Sequence, residues 1–135
     1  MKKNHIFKFN TQEKNSVFSN IKVDNLFLNG DNTTFNVTNP DKNHEFHFKT
    51  IDQNKTVILS SLTISGFNTP IENNGGILYL INTILSHNIV DYMFDQDYGG
   101  AIKNLGVIIG ENSSFIDNYA KYGGAIYNLG YAYLA

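Results

Sequence analysis

Two acidic residues, Asp95 and Asp97, stand on either side of Gln96 just before a glycine pair. Paired carboxylates supply an acid and a base for glycosidic bond cleavage, or they bind calcium. Such a site collects carboxylates from several parts of the chain, but the corresponding positions before two other glycine pairs hold Glu72 and Lys121. The pattern therefore favours a solvated loop over a catalytic or calcium-binding cluster.

The segment 44–47 places two histidines around a glutamate and a phenylalanine, which raises the question of a metal site. A helical metalloprotease motif needs its histidines at positions i and i+4, whereas His47 follows His44 at i+3. The surrounding residues alternate like a strand, which puts the two imidazoles on opposite faces. The sequence also lacks a Gly-x-Ser-x-Gly elbow for a nucleophilic serine. We therefore predict a protein that is not an enzyme, without catalytic residues, metal or cofactor.

Tyrosines are the residues best suited to surface contacts, because a phenol combines a flat apolar face with a polar tip. The chain contains 8 tyrosines and 10 phenylalanines. Five of the tyrosines are candidate contact residues: Tyr92, Tyr98, Tyr119, Tyr122 and Tyr127. Aromatic rings also stack as ladders within sheets, and the sequence leaves both interpretations open.

The overall composition narrows the class of partner. The 135 residues include 10 lysines but no arginine, and the formal net charge is −2. This balance argues against a nucleic-acid or anionic-membrane partner. Cysteine is absent, which excludes disulfides and thiolate chemistry. The sequence has no recognisable signal peptide and no apolar run of about 20 residues, so we expect no membrane-spanning segment.

Three glycine pairs reveal an internal repeat: Gly75–Gly76, Gly99–Gly100 and Gly123–Gly124. The second and third pairs continue as Gly-Gly-Ala-Ile-x-Asn-Leu-Gly, while the first keeps only the apolar pattern. A motif of one apolar residue, two variable residues and Asn precedes each pair, and it ends at Asn118, at Asn88 and, more loosely, at Asn68. The glycine pairs recur evenly, but the distance from this motif to the glycines varies. We therefore take the repeat to have an approximate period of about 24 residues, in the range of solenoid repeats.

The segments between these motifs are short and alternate polar with apolar residues, which is typical of strands. Abundant Asn and Gly disfavour helix, whereas Ile, Phe, Tyr, Val and Thr favour strands. We therefore predict an all-β fold, a right-handed parallel β-helix (a solenoid) of about five coils of roughly 24 residues, each with three short strands. Residues 1–20 are expected to form a polar lead or loose cap, and residues 21–135 the β-helix.

Alignment of the glycine pairs predicts which side chains stack between neighbouring coils. The inward column is expected to contain Leu78, Ile102 and Ile126. The next column is expected to contain Tyr79, Lys103 and Tyr127. A lysine in that column requires solvent, so the column faces outward.

Two further features of the repeat follow from the same alignment. Asn104 and Asn128 are predicted to form a hydrogen-bonded amide ladder at a turn, because Asn tolerates the left-handed backbone. Leu105 and Leu129 are predicted to return to the core directly after it. The glycines are assigned to corners that need a positive φ or that leave no room for a Cβ atom.

Residues 114–128 read Ser-Phe-Ile-Asp-Asn-Tyr-Ala-Lys-Tyr-Gly-Gly-Ala-Ile-Tyr-Asn. This combination of Phe-x-x-Asn with Gly-Gly-Ala-Ile resembles the repeats of chlamydial polymorphic outer membrane proteins, and still more those of adhesin-like surface proteins of methanogenic archaea. Residues 26–35 and 57–66 are similar to the opening and to one strand of such domains. The resemblance spans roughly residues 20–135. It implies a β-helix at the cell surface or outside the cell, with a structural and adhesive role and no catalytic residues.

The resemblance also implies partners among the glycans or proteins of other cells. A solenoid needs caps at its ends and no capping helix is visible after residue 130, so we expect further coils in a longer protein. Two alternatives remain open: a carbohydrate-active β-helix resembling polysaccharide lyases or glycoside hydrolases, and a passenger segment of an autotransporter. A row of Asp or Lys on one outward sheet face would favour the enzyme.

Overall fold

A computed structural model describes residues 6–9, 25–37, 47–90 and 98–135 of the chain. In these ranges the regular elements are all β-strands, and none is a helix. The strands are β1 (Ile6–Phe9), β2 (Asn25–Val37), β3 (Lys49–Ile51), β4 (Thr56–Ser65), β5 (Ile71–Asn73), β6 (Ile77–Ile81), β7 (Ile84–Ser86), β8 (Ile102–Asn104), β9 (Val107–Glu111), β10 (Ser114–Ile116), β11 (Ile126–Asn128) and β12 (Tyr131–Leu134). The all-β class predicted from the sequence is confirmed.

Every strand pair in the described ranges is parallel, and the pairs form three ladders. The first ladder joins the beginnings of β2 and β4 to β6, β9 and β12. The second joins β1, the ends of β2 and β4, β7 and β10. The third joins β3, β5, β8 and β11 as a separate four-stranded sheet. Because β2 and β4 belong to both of the first two ladders, those ladders make one eight-stranded sheet.

Each strand of a ladder pairs with the strand that occupies the same place one repeat later. In the third ladder Ile71 pairs with Ile102, and Ile102 pairs with Ile126. The first of these steps along the chain is longer than the second, so the repeat length varies. The predicted stacking of Ile102 with Ile126 agrees with the observed register. β1 lies within the predicted lead 1–20 and pairs with residues 34–37 of β2.

The core fills the space between the inward faces of the sheets. Along β4 the alternating residues Val57 and Leu59, and then Leu62 and Ile64, are buried, as the period of two in a strand requires. Phe48 lies between two other core rings, with ring centroids 4.9 Å from Phe35 and 5.8 Å from Phe67. Each fully buried side chain of this size stabilises the fold by about 1.5–3 kcal/mol relative to an exposed one.

The predicted register of the first glycine pair is wrong. Leu78 does not stack with Ile102; it pairs with Ile108 in the first ladder, while the partner of Ile102 is Ile71. Tyr79 likewise pairs with Ile109 rather than with Lys103. The reason is that Gly75–Gly76 follows β5 and precedes β6, whereas the other two pairs precede the strands β8 and β11 of the third ladder.

The prediction that Leu105 and Leu129 return to the core is also wrong, because their exposed fractions are 44% and 66%. Asn104, directly before Leu105, is fully buried, so the alternation of side chains turns the leucine outward. The inward position at this corner is occupied by the asparagine amide.

An asparagine ladder runs along this corner and has one more member than predicted. Asn73 Nδ2 donates to Asn104 Oδ1 at 2.9 Å, and Asn104 Nδ2 donates to Asn128 Oδ1 at 2.8 Å. Each of the first two amides also bonds backbone groups of its own turn, such as Gly76 N and Gly106 N. Such fully bonded amides compensate the cost of burying polar groups at the corner.

A second asparagine pair lies at the corner after β7 and β10. Asn88 Nδ2 donates to Asn118 Oδ1 at 2.9 Å. Asn68 is not part of this ladder, because its Nδ2 donates to Ile89 O instead. The position equivalent to Asn88 is Phe67, whose backbone N–H donates to Asn88 Oδ1.

The glycines at the entry to the third ladder have different constraints. Gly99 and Gly123 adopt φ of 68° and 63°, the left-handed region in which a side chain is strained. Gly100 has no positive φ, but a Cβ there would collide with Gly124 O. Gly124 meets neither condition, since a Cβ would lie at an ordinary 3.7 Å from Asn118 O. The prediction that every glycine of the pairs is sterically required is therefore wrong at Gly124.

Candidate functional site

Two of the predicted contact tyrosines occupy the same place in successive repeats. Tyr98 and Tyr122 each stand directly before a glycine of positive φ and form an isolated parallel β-bridge with one another. Their rings are stacked, with centroids 5.2 Å apart and an angle of 25° between the planes. The repeat thus places one phenol above the other at the entry to the third ladder.

A third tyrosine joins this stack from the outward face of the third ladder. Tyr127 is the middle residue of β11 and is in register with Lys103 of β8. Its neighbour Ile126 packs against the core, so Tyr127 points to the other side. The ring of Tyr127 lies with its centroid 4.5 Å from that of Tyr98 at an angle of 45°.

Two lysine ammonium groups lie over these rings. Lys103 Nζ is 5.8 Å from the centroid of Tyr98, and Lys121 Nζ is 5.3 Å from the centroid of Tyr122. At exposed sites a cation–π contact of this kind stabilises by about 0.5–1 kcal/mol. We call this group the tyrosine–lysine patch; its members are Tyr98, Lys103, Lys121, Tyr122 and Tyr127.

Several polar groups of the patch are available to a ligand. Within the described ranges, the phenol hydroxyls of Tyr98, Tyr122 and Tyr127 form no hydrogen bond, and Lys103 forms no ion pair. Tyr122 is 43% exposed, and Tyr98 and Tyr127 are half-buried. Phenol and ammonium groups can both donate hydrogen bonds, so the patch can bind a partner rich in oxygen acceptors.

The other two predicted contact tyrosines are not members of the patch. Tyr119 is 56% exposed and pairs with Ile89 in another isolated bridge. Tyr92 lies outside the described residues. Asp95, Asp97 and His44 also lie outside them.

His47 is the described member of the segment 44–47. Its Nδ1 lies 2.7 Å from Thr69 O, and its Nε2 lies 3.7 Å from a carboxylate oxygen of Glu72. Across the ranges that the structure describes, no three residues of the types His, Cys, Asp and Glu are grouped as a metal site. The arrangement positions an imidazole against a carboxylate on the same sheet face as the patch.

The outward column of the third ladder consists of Thr50, Glu72, Lys103 and Tyr127. It contains one carboxylate and one ammonium group. A row of Asp or Lys, which would favour the enzyme alternative, is therefore not present in this column.

Burial lowers the pKa of Lys49, the residue that precedes Thr50, and the charge of Asp52 opposes this shift. Lys49 is paired with Ile71 and occupies the inward column of the same ladder. It is therefore an ionisable group held in an otherwise apolar column.

The sequence analysis missed the two lysines of the patch and the first asparagine of the ladder. A signal for the patch was present, since a tyrosine directly precedes both Gly99 and Gly123. Lys121 directly precedes Tyr122, but the position of its ammonium over the ring is seen only in the structure. The equivalence of Asn73 with Asn104 was missed because the first glycine pair was misaligned with the other two.

No protein-family model, no curated protein and no solved structure matches this chain. Among the described residues, none belongs to a helix with the length and apolarity needed to cross a lipid bilayer.

Proposed function

We propose that this chain is a right-handed parallel β-helix of about five coils and belongs to a non-catalytic, adhesin-like protein of the cell surface. The three parallel ladders support the β-helix, since each strand pairs with its counterpart one repeat away. The right hand follows from the strong preference of parallel crossovers for that hand. The Gly-Gly-Ala-Ile and Phe-x-x-Asn motifs support the likeness to adhesin-like proteins of methanogenic archaea and to chlamydial polymorphic outer membrane proteins.

The observation that carries the adhesive role is the tyrosine–lysine patch. It presents phenol and ammonium donors on the outer face of a stiff, ladder-bonded body, and Lys103 has no ion-pair partner in the described part of the chain. A rigid scaffold lowers the entropy that binding must overcome, which favours a contact surface on such a body. Glycans or proteins on the surface of other cells are the proposed partners.

An adhesion assay tests this function. Beads coated with the protein are passed over an array of immobilised glycans and cell-surface proteins, and their retention is counted. The double variant Lys103→Met/Tyr122→Ala is expected to lose most of the retention, because it removes one ammonium and one ring of the stack.

Tyr133→Ala serves as the matched control, since Tyr133 is exposed on β12 and is not a member of the patch. Equal retention of the wild type and the double variant would contradict the proposal. So would release of reducing sugar ends from any glycan on the array, since that would demonstrate catalysis.

A further inference from the structure

We infer that Asn32, Asn54 and Asn112 are acceptor sites for N-linked glycans. Each of them begins an Asn-x-Ser/Thr sequon, the sequence that oligosaccharyltransferases recognise. A fourth sequon begins at Asn36. The structure separates the three acceptors from the fourth sequon by their place in the coil. Glycosylation of these sites goes beyond the proposed adhesive function and does not involve the tyrosine–lysine patch.

The three acceptor asparagines lie where the backbone turns. Asn32 lies at the register shift within β2, Asn54 in the turn before β4, and Asn112 between β9 and β10. Their φ angles are 65°, 63° and 50°, the left-handed conformation that asparagine tolerates better than most residues. All three residues are exposed, so a sugar attached to them extends into solvent without displacing a packed neighbour.

The amide nitrogens of these side chains are accessible. In the described ranges, the amides of Asn32 and Asn54 form no hydrogen bond. Asn112 Nδ2 donates one hydrogen bond, to Asn82 Oδ1 at 2.6 Å, and its second hydrogen has no partner among the described residues. Since a glycosylated amide keeps one N–H group, attachment at Asn112 is compatible with this bond.

The hydroxyl residues of the sequons also face outward. They are Thr34, Thr56 and Ser114. Each is at least partly exposed, and the residue that follows it belongs to the hydrophobic core or packs against it. Because side chains alternate between the two faces of a strand, the hydroxyl residue lies on the outer face. The amide and the hydroxyl residue of each sequon are therefore both on the outside of the coil.

Asn36 lacks this arrangement, although its sequon is intact. It is half-buried near the end of β2, paired with Lys8 of β1 on one side and with Ser65 of β4 on the other. A transferase reaches a residue within a ladder only after local opening of the sheet. Thr38, the hydroxyl residue of this sequon, lies outside the described residues. We therefore expect Asn36 to remain unmodified in the folded chain.

The transfer needs a lipid-linked oligosaccharide, whose first sugar is joined to a lipid phosphate. Asparagine Nδ2 attacks the anomeric carbon of that sugar, and the new N–C bond forms as the C–O bond to the phosphate breaks. The phosphate leaves with the bonding electron pair, and a base of the transferase takes one amide proton. No oxidant or reductant takes part.

In-vitro glycosylation tests the inference on the folded full chain, with a purified single-subunit oligosaccharyltransferase and its lipid-linked oligosaccharide. Mass spectrometry of proteolytic peptides gives the occupancy of each sequon. We expect glycans on Asn32, Asn54 and Asn112, and an initial rate at Asn36 that is at least about tenfold lower. A free peptide of residues 33–41 should be glycosylated at Asn36, because the fold and not the local sequence protects this site.

Two variants at one corner sharpen the test. Ser114→Ala should remove the glycan from Asn112 alone. Asn82 occupies the equivalent corner one repeat earlier, is exposed and has a φ of 48°, but the residue two places after it is Ile84, the partner of Ser114. Ile84→Thr should therefore add a glycan at Asn82. Circular dichroism confirms that each variant is folded.

A folded chain that stays unmodified, equal rates at Asn36 and Asn112, or no glycan at Asn82 in Ile84→Thr would overturn the inference. The bead assay for adhesion uses the chain without glycans, so the two experiments succeed or fail independently.

Discussion

Gly75–Gly76 and Gly99–Gly100 look alike in the sequence but lie at different places in the repeat. The second pair leads into β8. The first lies between β5 and β6, where the next repeats have Gly106 and Gly130. Backbone bonds give this equivalence directly, since Val107 N donates to Gly76 O and Tyr131 N donates to Gly106 O.

Different local features exclude a side chain at the two pairs. At Gly76 a Cβ would lie 2.6 Å from the backbone oxygens of Asp52 and Lys55. At Gly99 the φ of 68° and a collision with Ile102 O both exclude a side chain. Identical dipeptides at equal spacing therefore do not mark the same position in the repeat. The asparagine that ends each of the strands β5, β8 and β11 does mark one position.

The largest expected effect comes from Gly99→Ala. Both the left-handed φ and the collision with a backbone oxygen oppose the new methyl group, so we expect a loss of about 3 kcal/mol in the free energy of unfolding. Urea denaturation followed by circular dichroism measures it. Gly75→Ala is also strained by its φ of 126°, but it should cost less, because the nearest atom to its Cβ is in the flexible side chain of Gln53 rather than in the backbone.

Gly124→Ala is the control for this prediction, since its Cβ has space and its φ is not in the left-handed region. Its free energy of unfolding should stay within about 0.5 kcal/mol of the wild type. Equal losses at Gly99 and Gly124 would mean that the two glycines have the same role.

An intermediate effect is expected in the asparagine ladder. Asn73→Ala and Asn104→Ala should each cost about 2 kcal/mol, because buried groups bonded to these amides lose their partners. Asn128→Ala should cost less, since Asn128 is exposed at the last step of the ladder. Chemical denaturation of the three variants checks the order.

This series also sharpens the comparison of the glycine pairs. If the Gly75–Gly76 alignment were the correct one, Asn73 would lie outside the repeat and its replacement would resemble a surface substitution. A loss at Asn73 close to that at Asn104 supports the register defined by asparagine.

The smallest effect is expected at Lys49. This residue lies in the inward column of the third ladder, where the next two repeats have Ile71 and Ile102. Lys49→Met should stabilise the fold by about 1 kcal/mol at neutral pH, because an ammonium no longer has to be buried. Burial lowers the pKa of Lys49 from its usual 10.5 in the folded state. The unfolded chain therefore binds more protons between the lowered pKa and 10.5, and wild-type stability rises with pH across this window.

The difference in Tm between Lys49→Met and the wild type should accordingly shrink as the pH approaches 10.5. Thermal denaturation at a series of pH values measures this difference. A gap that is constant with pH would show that packing, rather than the ammonium charge, separates the two proteins.

Much of the fold was accessible from the sequence because strands have a period of two and the last two repeats are nearly identical. The register of Ile102 with Ile126 and of Asn104 with Asn128 follows from that identity. The step from Asn73 to Asn104 was not accessible, because Gly75–Gly76 follows its strand of the third ladder whereas Gly99–Gly100 precedes its strand. In the glycine spacing, this offset compensates for the longer connection between β7 and β8.

The candidate site was predictable only in part. Tyr98 and Tyr122 directly precede turn glycines, and Tyr127 belongs to the predicted outward column, which makes all three candidates from the sequence. Their mutual stacking depends on how side chains from a corner and from a strand meet in space. Sequence spacing carries no information on that meeting, so the lysines over the rings emerged only from the structure.

The asparagine ladder has a consequence for tolerance to insertions. The Nδ2–Oδ1 bond is the same whether the connection between partners spans the 31 residues from Asn73 to Asn104 or the 24 from Asn104 to Asn128. Since the entropy of closing a connection grows only slowly with its length, peptide segments grafted between two ladder members should be accommodated at little energetic cost. The scaffold is thus suited to carrying variable segments of different lengths on a constant frame.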